Sequence, residues 1–254
     1  MIAAFDYATA AKETVACNLC GGTDTKPVAT EDRYGLPVTT VRCKACGLRY
    51  QNPRLTESAS DDFYASGYRP LLSAYYKRTF NAESIEGEQW TYAAQTAAIL
   101  TPHVPRGGKL LDVGGSTGIV AQMFQLRFGT EGIVIDPAAD ELAMVRGNAT
   151  IRASAESADF PKADLAMVCR AIDHFRDPKG VLTRLRAAVP LLFVDIVNVD
   201  AIPKAKRYKL DHPYSFTPTT LTAMLEASGW AVSKTWMRHA MRSVCFLCVP
   251  RKDS

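Results

Sequence analysis

The chain has 254 residues, of which 47% are hydrophobic and 22% are charged. This is the composition of an ordinary globular protein and excludes wholesale disorder. Thirty Lys and Arg residues against 26 Asp and Glu residues give a net charge of +4, which is too small to indicate nucleic-acid binding by itself. No apolar run approaches the roughly 20 residues that a membrane-spanning helix needs. The amino terminus lacks the basic segment of a signal peptide, so we expect no membrane association and a cytoplasmic location.

Four of the seven cysteines form two Cys-x-x-Cys pairs early in the chain, Cys17 with Cys20 and Cys43 with Cys46, and a glycine follows each pair. Four thiolates on two tight turns supply the tetrahedral sulfur ligands that structural zinc prefers. Short β-like runs and turn residues surround the pairs, as in a small ribbon. We therefore predict a zinc-ribbon-like segment over residues 1–55, with all four cysteines as zinc ligands.

Residues 56–106 have a helical, aromatic-rich pattern that ends at Pro102 and Pro105, which predicts a helical cap or lid. After this segment, short apolar runs alternate with stretches of helical periodicity as far as residue 254. The pattern predicts strands over residues 109–113, 132–135, 164–169, 191–196, 230–237 and 243–249.

Repeated strand–helix units indicate an α/β fold with a doubly wound, mostly parallel sheet. The last two predicted strands are close enough in sequence to form an antiparallel hairpin. Asp177-Pro178 and Thr217-Pro218 each combine an N-cap residue with proline at the first helical position, so two helices are predicted to begin there. A further helix is predicted over residues 138–146.

The segment Asp112–Gly118 reads Asp-Val-Gly-Gly-Ser-Thr-Gly and lies at a predicted strand-to-helix turn, where backbone N–H groups point toward a ligand. Asp136 ends the next predicted strand, where a carboxylate can hydrogen-bond the hydroxyls of a ribose. The dinucleotide fingerprint G-x-G-x-x-G fails, because Ser116 and Ile119 occupy its second and third glycine positions. The sequence also has no Gly-Lys-Ser/Thr of a phosphate-binding P-loop.

The segment Asp112–Gly118 instead resembles the acidic-x-Gly-x-Gly-x-Gly motif of class I S-adenosylmethionine-dependent methyltransferases, with Ser116 in place of the middle glycine. Asp136 matches the acidic residue with which that family binds the ribose. Residues 155–161 and 171–178 resemble two later segments of the same family. The resemblance implies a Rossmann-like methyltransferase fold with a seven-stranded sheet in residues 107–254, and S-adenosylmethionine as the cofactor.

The N-terminal part of the chain resembles the zinc-ribbon head of one subset of this family. Cys43–Gly47, Asn52-Pro53-Arg54 and Phe63–Tyr68 match the pattern of that head and of the segments that follow it. The subset methylates sugars, surface polysaccharides and secondary metabolites. The resemblance therefore implies a small-molecule acceptor, such as a nucleotide sugar or a secondary-metabolite intermediate, and leaves its identity open.

The resemblance also assigns site residues. The residues expected to bind S-adenosylmethionine are Asp112, Gly114, Gly115, Gly118, Asp136, Ala155, Glu156 and Arg170. His174 and His212 are candidates for the general base, because imidazole titrates near neutral pH, and a purely structural role for His174 stays open. The basic run Lys204–Lys209 is either a solvated loop or a patch for an anionic acceptor.

Two other functions stay open at this stage. One is a methyltransferase that acts on RNA through the zinc ribbon, and the other is a non-catalytic protein that binds S-adenosylmethionine and uses the ribbon for partner contacts. Residues 1–100 carry 10 basic and 11 acidic side chains, a balance of −1 that weighs against nucleic acid as the partner. The sequence does not fix the oligomeric state or the methylated atom.

Overall fold

The computed structural model describes residues 5–104 and 106–252, which pack into two compact units. The first unit comprises the chain up to Asn81 together with Val197–Ala223. The second comprises Ala82–Ile196 and the chain from Met224 onward. The chain thus leaves the second unit once, contributes a segment to the first, and returns. The three-part division expected from the sequence, with boundaries after residues 55 and 106, stays a prediction.

Thirteen strands and seven α-helices are formed within the described residues. In chain order the strands are β1 (Lys12–Glu13), β2 (Thr25–Ala29), β3 (Thr40–Cys43), β4 (Arg49–Gln51), β5 (Arg54–Leu55), β6 (Lys109–Val113), β7 (Glu131–Asp136), β8 (Ala149–Arg152), β9 (Leu165–Cys169), β10 (Leu192–Val197), β11 (Tyr214–Ser215), β12 (Trp230–Arg238) and β13 (Ser243–Pro250). The helices are α1 (Glu57–Asp62), α2 (Tyr68–Tyr76), α3 (Ala82–Leu100), α4 (Ile119–Phe128), α5 (Ala139–Leu142), α6 (Pro178–Ala188) and α7 (Pro218–Ala227).

The first unit is built on a small antiparallel ribbon. Its four strands follow the order β11, β4, β3, β2, and β1 pairs separately with β5. Tyr50 of β4 lies opposite Tyr214 of β11, both are almost fully buried, and their ring centroids are 6.2 Å apart. Such cross-strand aromatic pairs stabilise a sheet. The ribbon that begins in the N-terminal segment is therefore completed by a strand from far downstream.

Helices α1 and α2 pack on an apolar core within the first unit. The side chain of Thr56 caps α1 by accepting a hydrogen bond from the Ala59 amide, and a π-helical turn at Phe63–Gly67 joins α1 to α2. Phe63 is 2% exposed. The buried members of this core are Tyr7, Val38, Leu55, Ala59, Phe63, Leu71 and Leu210.

The second unit contains a seven-stranded sheet with the order β12, β13, β10, β9, β6, β7, β8. The pairs β6–β7, β7–β8, β6–β9 and β9–β10 are parallel, whereas β12 and β13 form an antiparallel hairpin. This is the Rossmann-like methyltransferase fold predicted from the sequence, with its C-terminal antiparallel strand. All six predicted strands are confirmed to within one residue at each end.

The strands of this sheet are apolar because helices cover it and bury its side chains. Leu110, Phe124 and Phe193 lie in one buried cluster, to which α3 and α4 contribute. Trp230 is fully buried, and its indole N–H donates to the carbonyl oxygen of Leu182 at 2.9 Å. The polar end of the largest buried side chain is thereby satisfied.

The helix starts at Pro178 and Pro218 are confirmed. Asp177 caps α6, because its side chain accepts a hydrogen bond from the Gly180 amide at 3.0 Å. The helix predicted over residues 138–146 is wrong in length, since α5 has only four residues and the chain then turns into β8. Gly147 adopts a φ of +71° in the turn between α5 and β8. β8 was missed because only one of its four residues is strongly apolar.

None of the helices in the described part of the chain combines the length and the apolarity needed to cross a bilayer.

Candidate functional site

The sheet of the second unit reverses its strand order between β6 and β9. From β6 the chain continues to β7 and β8 on one side, and it then crosses to β9, β10 and the hairpin on the other side. At such a reversal, open α/β sheets bind ligands in a crevice at the carboxyl ends of the strands, and the loops after β6 and β9 flank that position. The eight residues predicted to bind the cofactor lie at the carboxyl ends of β6 to β9 or in the loops that follow.

The turn after β6 brings two loops into direct contact. Gly114 has a φ of +71°, and a Cβ atom at this position would lie 2.5 Å from the Cβ of Ala171 in the loop after β9. A Cβ on Gly115 would lie 2.8 Å from Cγ1 of Val134. Gly118 has a φ of +73° and is the N-cap residue of α4. Only glycine fits these positions without displacing a neighbour or straining the backbone.

Asp112 is fully buried near the end of β6. Its Oδ2 accepts a hydrogen bond from the Ala121 amide at 3.2 Å, whereas Oδ1 has no hydrogen-bond partner among the described residues. Burial, together with the nearby charge of Asp136, raises the pKa of Asp112 to about 7 and outweighs the hydrogen bond to Ala121. The turn therefore contains a carboxyl group that is only partly satisfied by the protein.

Asp136 and Ser116 connect the ends of β7 and β6. Oδ2 of Asp136 accepts a hydrogen bond from the Ser116 amide and Oδ1 accepts one from the Ala138 amide, each at 2.9 Å. These two backbone hydrogen bonds orient the Asp136 carboxylate. Ser116 has a φ of +53°, and its hydroxyl donates to the buried carboxylate of Glu141.

The loop after β8 is tied to the loop after β9 through Glu156. Its Oε1 accepts hydrogen bonds from the amides of Arg176 at 2.6 Å and Asp177 at 3.2 Å. Ala155 is buried, and its carbonyl oxygen accepts a hydrogen bond from the Arg184 guanidinium. Glu156 thus orders the wall of the crevice, and its predicted contact with adenine stays a prediction.

Arg170 follows β9 directly and has a φ of +55°. Its amide donates to the carbonyl oxygen of Asp195 at 2.9 Å. Its guanidinium lies over the ring of Tyr92, 4.6 Å from the centroid, and its Nε is 3.6 Å from Oδ2 of Asp195. The backbone of this loop therefore faces the glycine turn through Ala171, while the Arg170 side chain extends toward β10.

The two histidines predicted as candidate bases lie in different units. His174 belongs to the second unit, where it ends a 3-10 turn at Ile172–His174 and is partly exposed. His212 belongs to the first unit, and its Nε2 lies 3.4 Å from Oδ2 of Asp211. Asp211 is 1% exposed, and its Oδ1 accepts a hydrogen bond from the Tyr34 hydroxyl at 3.0 Å. A buried carboxylate beside an imidazole can hold the ring in one orientation.

The ribbon of the first unit holds the backbone that carries His212. The Gln51 side-chain amide donates to the carbonyl oxygens of Lys209, Leu210 and His212 at 2.8, 2.9 and 3.0 Å. Oδ2 of the buried Asp32 accepts a hydrogen bond from the Leu210 amide at 2.8 Å. Strand β4 and the segment before β11 are therefore fixed to each other at successive residues.

The basic run Lys204–Lys209 is partly neutralised within the first unit. The Arg207 guanidinium donates to the carbonyl oxygen of Ile202 at 3.2 Å and lies 3.8 Å from Asp200. Lys209 pairs with Asp211 at 3.3 Å. Lys204 and Lys206 remain exposed. This arrangement agrees with a solvated basic loop more closely than with a concentrated anion patch.

The four cysteines of the two Cys-x-x-Cys pairs converge in the ribbon, with all four Sγ atoms within 4.8 Å of one another. The Sγ atoms of Cys17 and Cys46 are 3.4 Å apart, and those of Cys20 and Cys43 are 3.5 Å apart. Sulfur ligands 2.3 Å from a tetrahedral zinc ion are separated by about 3.8 Å, so the cluster has the size of a zinc site. A Cβ at Gly22 would lie 3.3 Å from Sγ of Cys20.

The thiols of this cluster differ, because burial raises the pKa of Cys17 and Cys46 whereas the pKa of Cys43 is lowered. Burial acts to raise the pKa of Cys43, but hydrogen bonds from the amides of Cys46 and Ala45 and from neighbouring thiols lower it to about 7. The thiolate is the form that binds metal. The other three cysteines, Cys169, Cys245 and Cys248, lie in β9 and β13, and burial raises the pKa of each thiol.

Sequence reasoning missed the polar residues that surround Arg170. Tyr92 of α3 is buried and donates its hydroxyl to Oδ2 of Asp195 at 2.8 Å, and Arg238 of β12 lies over the same ring. Asp195 was the available signal, because a charged residue inside the apolar run of β10 requires a buried partner. The partners come from distant positions, so no local pattern identifies them.

The sequence profile of the family described as "Methyltransferase domain" matches residues 86–235, more than half of the chain. No curated protein matches the sequence. Three solved structures are similar at low sequence identity, which shows a common fold. A protein assigned as an O-methyltransferase from Nostoc punctiforme is 19% identical with a TM-score of 0.57, over 66% of this chain and 58% of that one. This chain therefore spans less than two thirds of that protein's length.

The second similar structure is a chain from the complex between the Haloferax volcanii Trm112 methyltransferase activator and a methyltransferase. It is 10% identical with a TM-score of 0.59, over 67% of this chain and 95% of that one. The third is CalO1, a methyltransferase in calicheamicin biosynthesis solved in its SAH-bound form. It is 19% identical with a TM-score of 0.53, over 76% of this chain and 62% of that one.

The contact between the two loops predicts a large effect of Gly114→Ala. The substitution places a Cβ 2.5 Å from Ala171 at a φ of +71°. Gly129→Ala is the matched control, because its φ is +72° and no atom lies within 4 Å of the added Cβ. We expect Gly129→Ala to lower the free energy of unfolding by about 1–2 kcal/mol, and Gly114→Ala to cost about 1–3 kcal/mol more. Equal losses in urea unfolding would contradict the close contact.

The buried Asp112 predicts a pH dependence of stability. Its folded-state pKa of about 7 lies above the ordinary value of about 3.9, so between about pH 5 and 7 the folded protein holds a proton that the unfolded chain has lost. We expect this group to lower the free energy of unfolding as pH rises, by up to about 1.4 kcal/mol per pH unit. Asp112→Asn should remove that slope in the cofactor-free protein, and Asp140→Asn at an exposed position should keep it. An unchanged slope in Asp112→Asn contradicts the assignment.

Proposed function

The chain belongs to the methyltransferase-domain family, and on this basis we propose that it transfers the methyl group of S-adenosylmethionine to a small-molecule acceptor, such as a nucleotide sugar or a secondary-metabolite intermediate. One observation carries the proposal. The glycine turn after β6 and the oriented carboxylate of Asp136 at the end of β7 lie side by side, next to the point where the strand order reverses. That combination is suited to a nucleoside attached to a short polar chain.

The proposed binding residues act on separate parts of the cofactor. The carboxylate of Asp136, which the amides of Ser116 and Ala138 orient, accepts hydrogen bonds from the ribose hydroxyls. Gly114, Gly115 and Gly118 let the backbone pass close to the ribose and the methionine chain. These assignments agree with the absence of room for a Cβ at Gly114 and Gly115.

Further contacts complete the proposed cofactor site. Asp112 orients the turn near the methionine amino group, and its unpartnered Oδ1 supplies an acceptor on that side. The backbone beside Arg170 supports the methionine chain. Ala155 and Glu156 frame the adenine through the loop that Glu156 orders. The sulfonium of the cofactor supplies an activated methyl group, so the protein mainly has to bind both reactants and align them.

An acceptor hydroxyl or acidic carbon needs a base, and His174 and His212 are the proposed candidates. His212 has the stronger local support, because the buried Asp211 lies against its imidazole. His174 lies just past the carboxyl end of β9, where open α/β sheets bind ligands. The proposed base takes the proton that the acceptor loses when its oxygen, nitrogen or carbon atom forms the bond to the methyl group.

We further propose that Cys17, Cys20, Cys43 and Cys46 hold a structural zinc ion. The four sulfur atoms occupy all tetrahedral positions, so the site has no open position for catalysis. The ribbon that contains the site also holds the backbone around His212 through Gln51. Reduced thiols are maintained in the cytoplasm, which supports a cytoplasmic location.

Calorimetric titration with S-adenosylmethionine tests the cofactor site directly. We expect binding to the wild-type protein and an affinity about 10- to 100-fold lower for Asp136→Ala, because charge-assisted hydrogen bonds to the ribose are lost. Asp140→Ala, at an exposed carboxylate four residues later, should bind like the wild type.

The acceptor is then sought by mass spectrometry of nucleotide sugars and metabolic intermediates incubated with enzyme and cofactor. A mass gain of one CH₂ unit identifies the methylated product. Absence of S-adenosylmethionine binding would refute the proposed function. Binding without any methylated product would favour the non-catalytic alternative, and methylation of RNA with a steep salt dependence would favour the RNA alternative.

Metal analysis tests the zinc site. We expect about one zinc ion per chain in the purified protein and loss of that ion in Cys20→Ser, because three remaining sulfur ligands bind zinc weakly. Lys44→Ala is the matched control, since Lys44 lies in the second Cys-x-x-Cys turn but pairs with Asp24 on the surface. Equal zinc contents in the two variants would contradict the assignment.

A further inference from the structure

A cluster of two guanidinium groups and one carboxylate surrounds Tyr92 in the second unit. The Arg170 and Arg238 guanidiniums lie 4.6 and 5.0 Å from the centroid of the Tyr92 ring. Oδ2 of Asp195 accepts the Tyr92 hydroxyl at 2.8 Å and lies 3.6 Å from Nε of Arg170 and 3.5 Å from an Arg238 nitrogen. The Asp195 carboxylate thus pairs with two guanidinium groups and accepts a hydrogen bond from one hydroxyl.

The cluster carries an excess positive charge. Burial raises the pKa of Tyr92 well above its ordinary value, and burial together with the Asp195 charge raises that of Cys245 to about 12, so both groups are neutral. Two guanidiniums beside one carboxylate leave a net charge of +1. Arg side chains stay protonated in proteins, and a cation that is only partly compensated near the interior favours an anionic partner.

The two arginines have different hydrogen-bonding states. Arg238 is 10% exposed, and its guanidinium donates to the Gln95 side chain at 2.9 Å and to the Thr96 hydroxyl at 3.2 Å. Arg170 has 37% of its side chain exposed. In the part of the chain that the structure describes, its guanidinium has only the Asp195 ion pair and the Tyr92 ring as polar contacts. Arg238 is therefore a fixed member of the cluster, and Arg170 presents N–H donors to solvent.

Arg170 also has the position of a ligand-binding group. It stands directly after β9, at the edge where open α/β sheets bind ligands, and it adopts a φ of +55°, which is strained for a non-glycine residue. Its side chain points toward Asp195 of β10, which is two strands from β6 and hence about 10 Å from the glycine turn. The guanidinium thus lies on the side of the crevice opposite the proposed ribose-binding residue Asp136.

We propose that the Arg170 side chain binds an oxyanion of the acceptor, a carboxylate or a phosphate, while Tyr92 and Asp195 hold the guanidinium in place. The planar fork of arginine matches two oxygens of either group. This inference rests on the proposed methyltransferase function and adds that the acceptor is an anion. It assigns the Arg170 side chain to the acceptor and leaves its backbone beside the cofactor.

Anion binding is measured on the protein saturated with S-adenosylhomocysteine, by the rise in melting temperature with inorganic phosphate, pyrophosphate or succinate as probes. We expect at least one probe to stabilise the wild type and to bind about 10-fold or more weakly to Arg170→Gln. Arg170→Lys keeps the charge without the fork and should retain part of the binding. Arg127→Gln, at an exposed arginine in the last turn of α4, is the matched control and should bind like the wild type.

The three probes separate the sources of the oxyanion. A preference for pyrophosphate indicates a nucleotide-linked acceptor, and a preference for succinate indicates a carboxylic acid. Failure of all probes to stabilise the wild type, or equal stabilisation of Arg170→Gln, would overturn the proposal.

A second comparison excludes the cofactor as the anion that Arg170 holds. S-adenosylhomocysteine carries a carboxylate, whereas 5′-methylthioadenosine lacks the whole amino-acid part. We expect Arg170→Gln to leave the ratio of their two affinities unchanged. A selective loss of S-adenosylhomocysteine affinity would reassign the side chain to the cofactor and overturn the proposal. If neither nucleoside binds the wild type, the proposed function itself fails, which is a distinguishable result.

Discussion

The contact between the loops after β6 and β9 is the constraint on which the second unit depends. Gly114 can approach Ala171 only because it lacks a Cβ, and this approach joins the two loops at the point where the strand order reverses. Asp112 is buried directly beneath the turn. Any side chain at Gly114 would separate the two loops and with them the groups proposed to face the cofactor and the acceptor. The close packing of Gly114 against Ala171 and the proposed binding of the cofactor thus depend on the same turn.

Two buried carboxyl groups, Asp195 and Asp112, lie on either side of this contact. The protein compensates the loss of hydration of these two groups to different extents. Asp195 shares its charge with Arg170 and Arg238, so its desolvation is offset by two cations. Asp112 has one amide hydrogen bond and an unpartnered oxygen, and its pKa rises accordingly. Unsatisfied groups of this kind are retained where a ligand uses them. The buried groups near β6 are therefore carboxyls, whereas the buried carboxylate of β10 is accompanied by two guanidinium groups.

The first unit illustrates how a distant segment enters a small ribbon. The Gln51 side-chain amide donates to the carbonyl oxygens of Lys209, Leu210 and His212, and Tyr214 extends the sheet beside Tyr50. A ribbon of a few short strands has little apolar core of its own. The added strand and the cysteine cluster both compensate for this. Metal binding at the cysteines would therefore stabilise the same backbone that positions His212 next to Asp211.

The sequence by itself determined the parallel sheet, its hairpin, the glycine turn and the cysteine pairs, because periodicity, caps and short motifs are local. It misjudged the helix after Asp136, where only α5 forms before Gly147 turns the chain, since a four-residue helix has no periodicity to read. Only the tertiary structure brought Tyr92, Asp195 and Arg238 around Arg170, and only it joined the segment after β10 to the N-terminal ribbon. These contacts link residues about 40 to 180 positions apart in the sequence. They form because charged and polar groups that become buried on folding need partners, and no local sequence pattern specifies which distant residue that partner is.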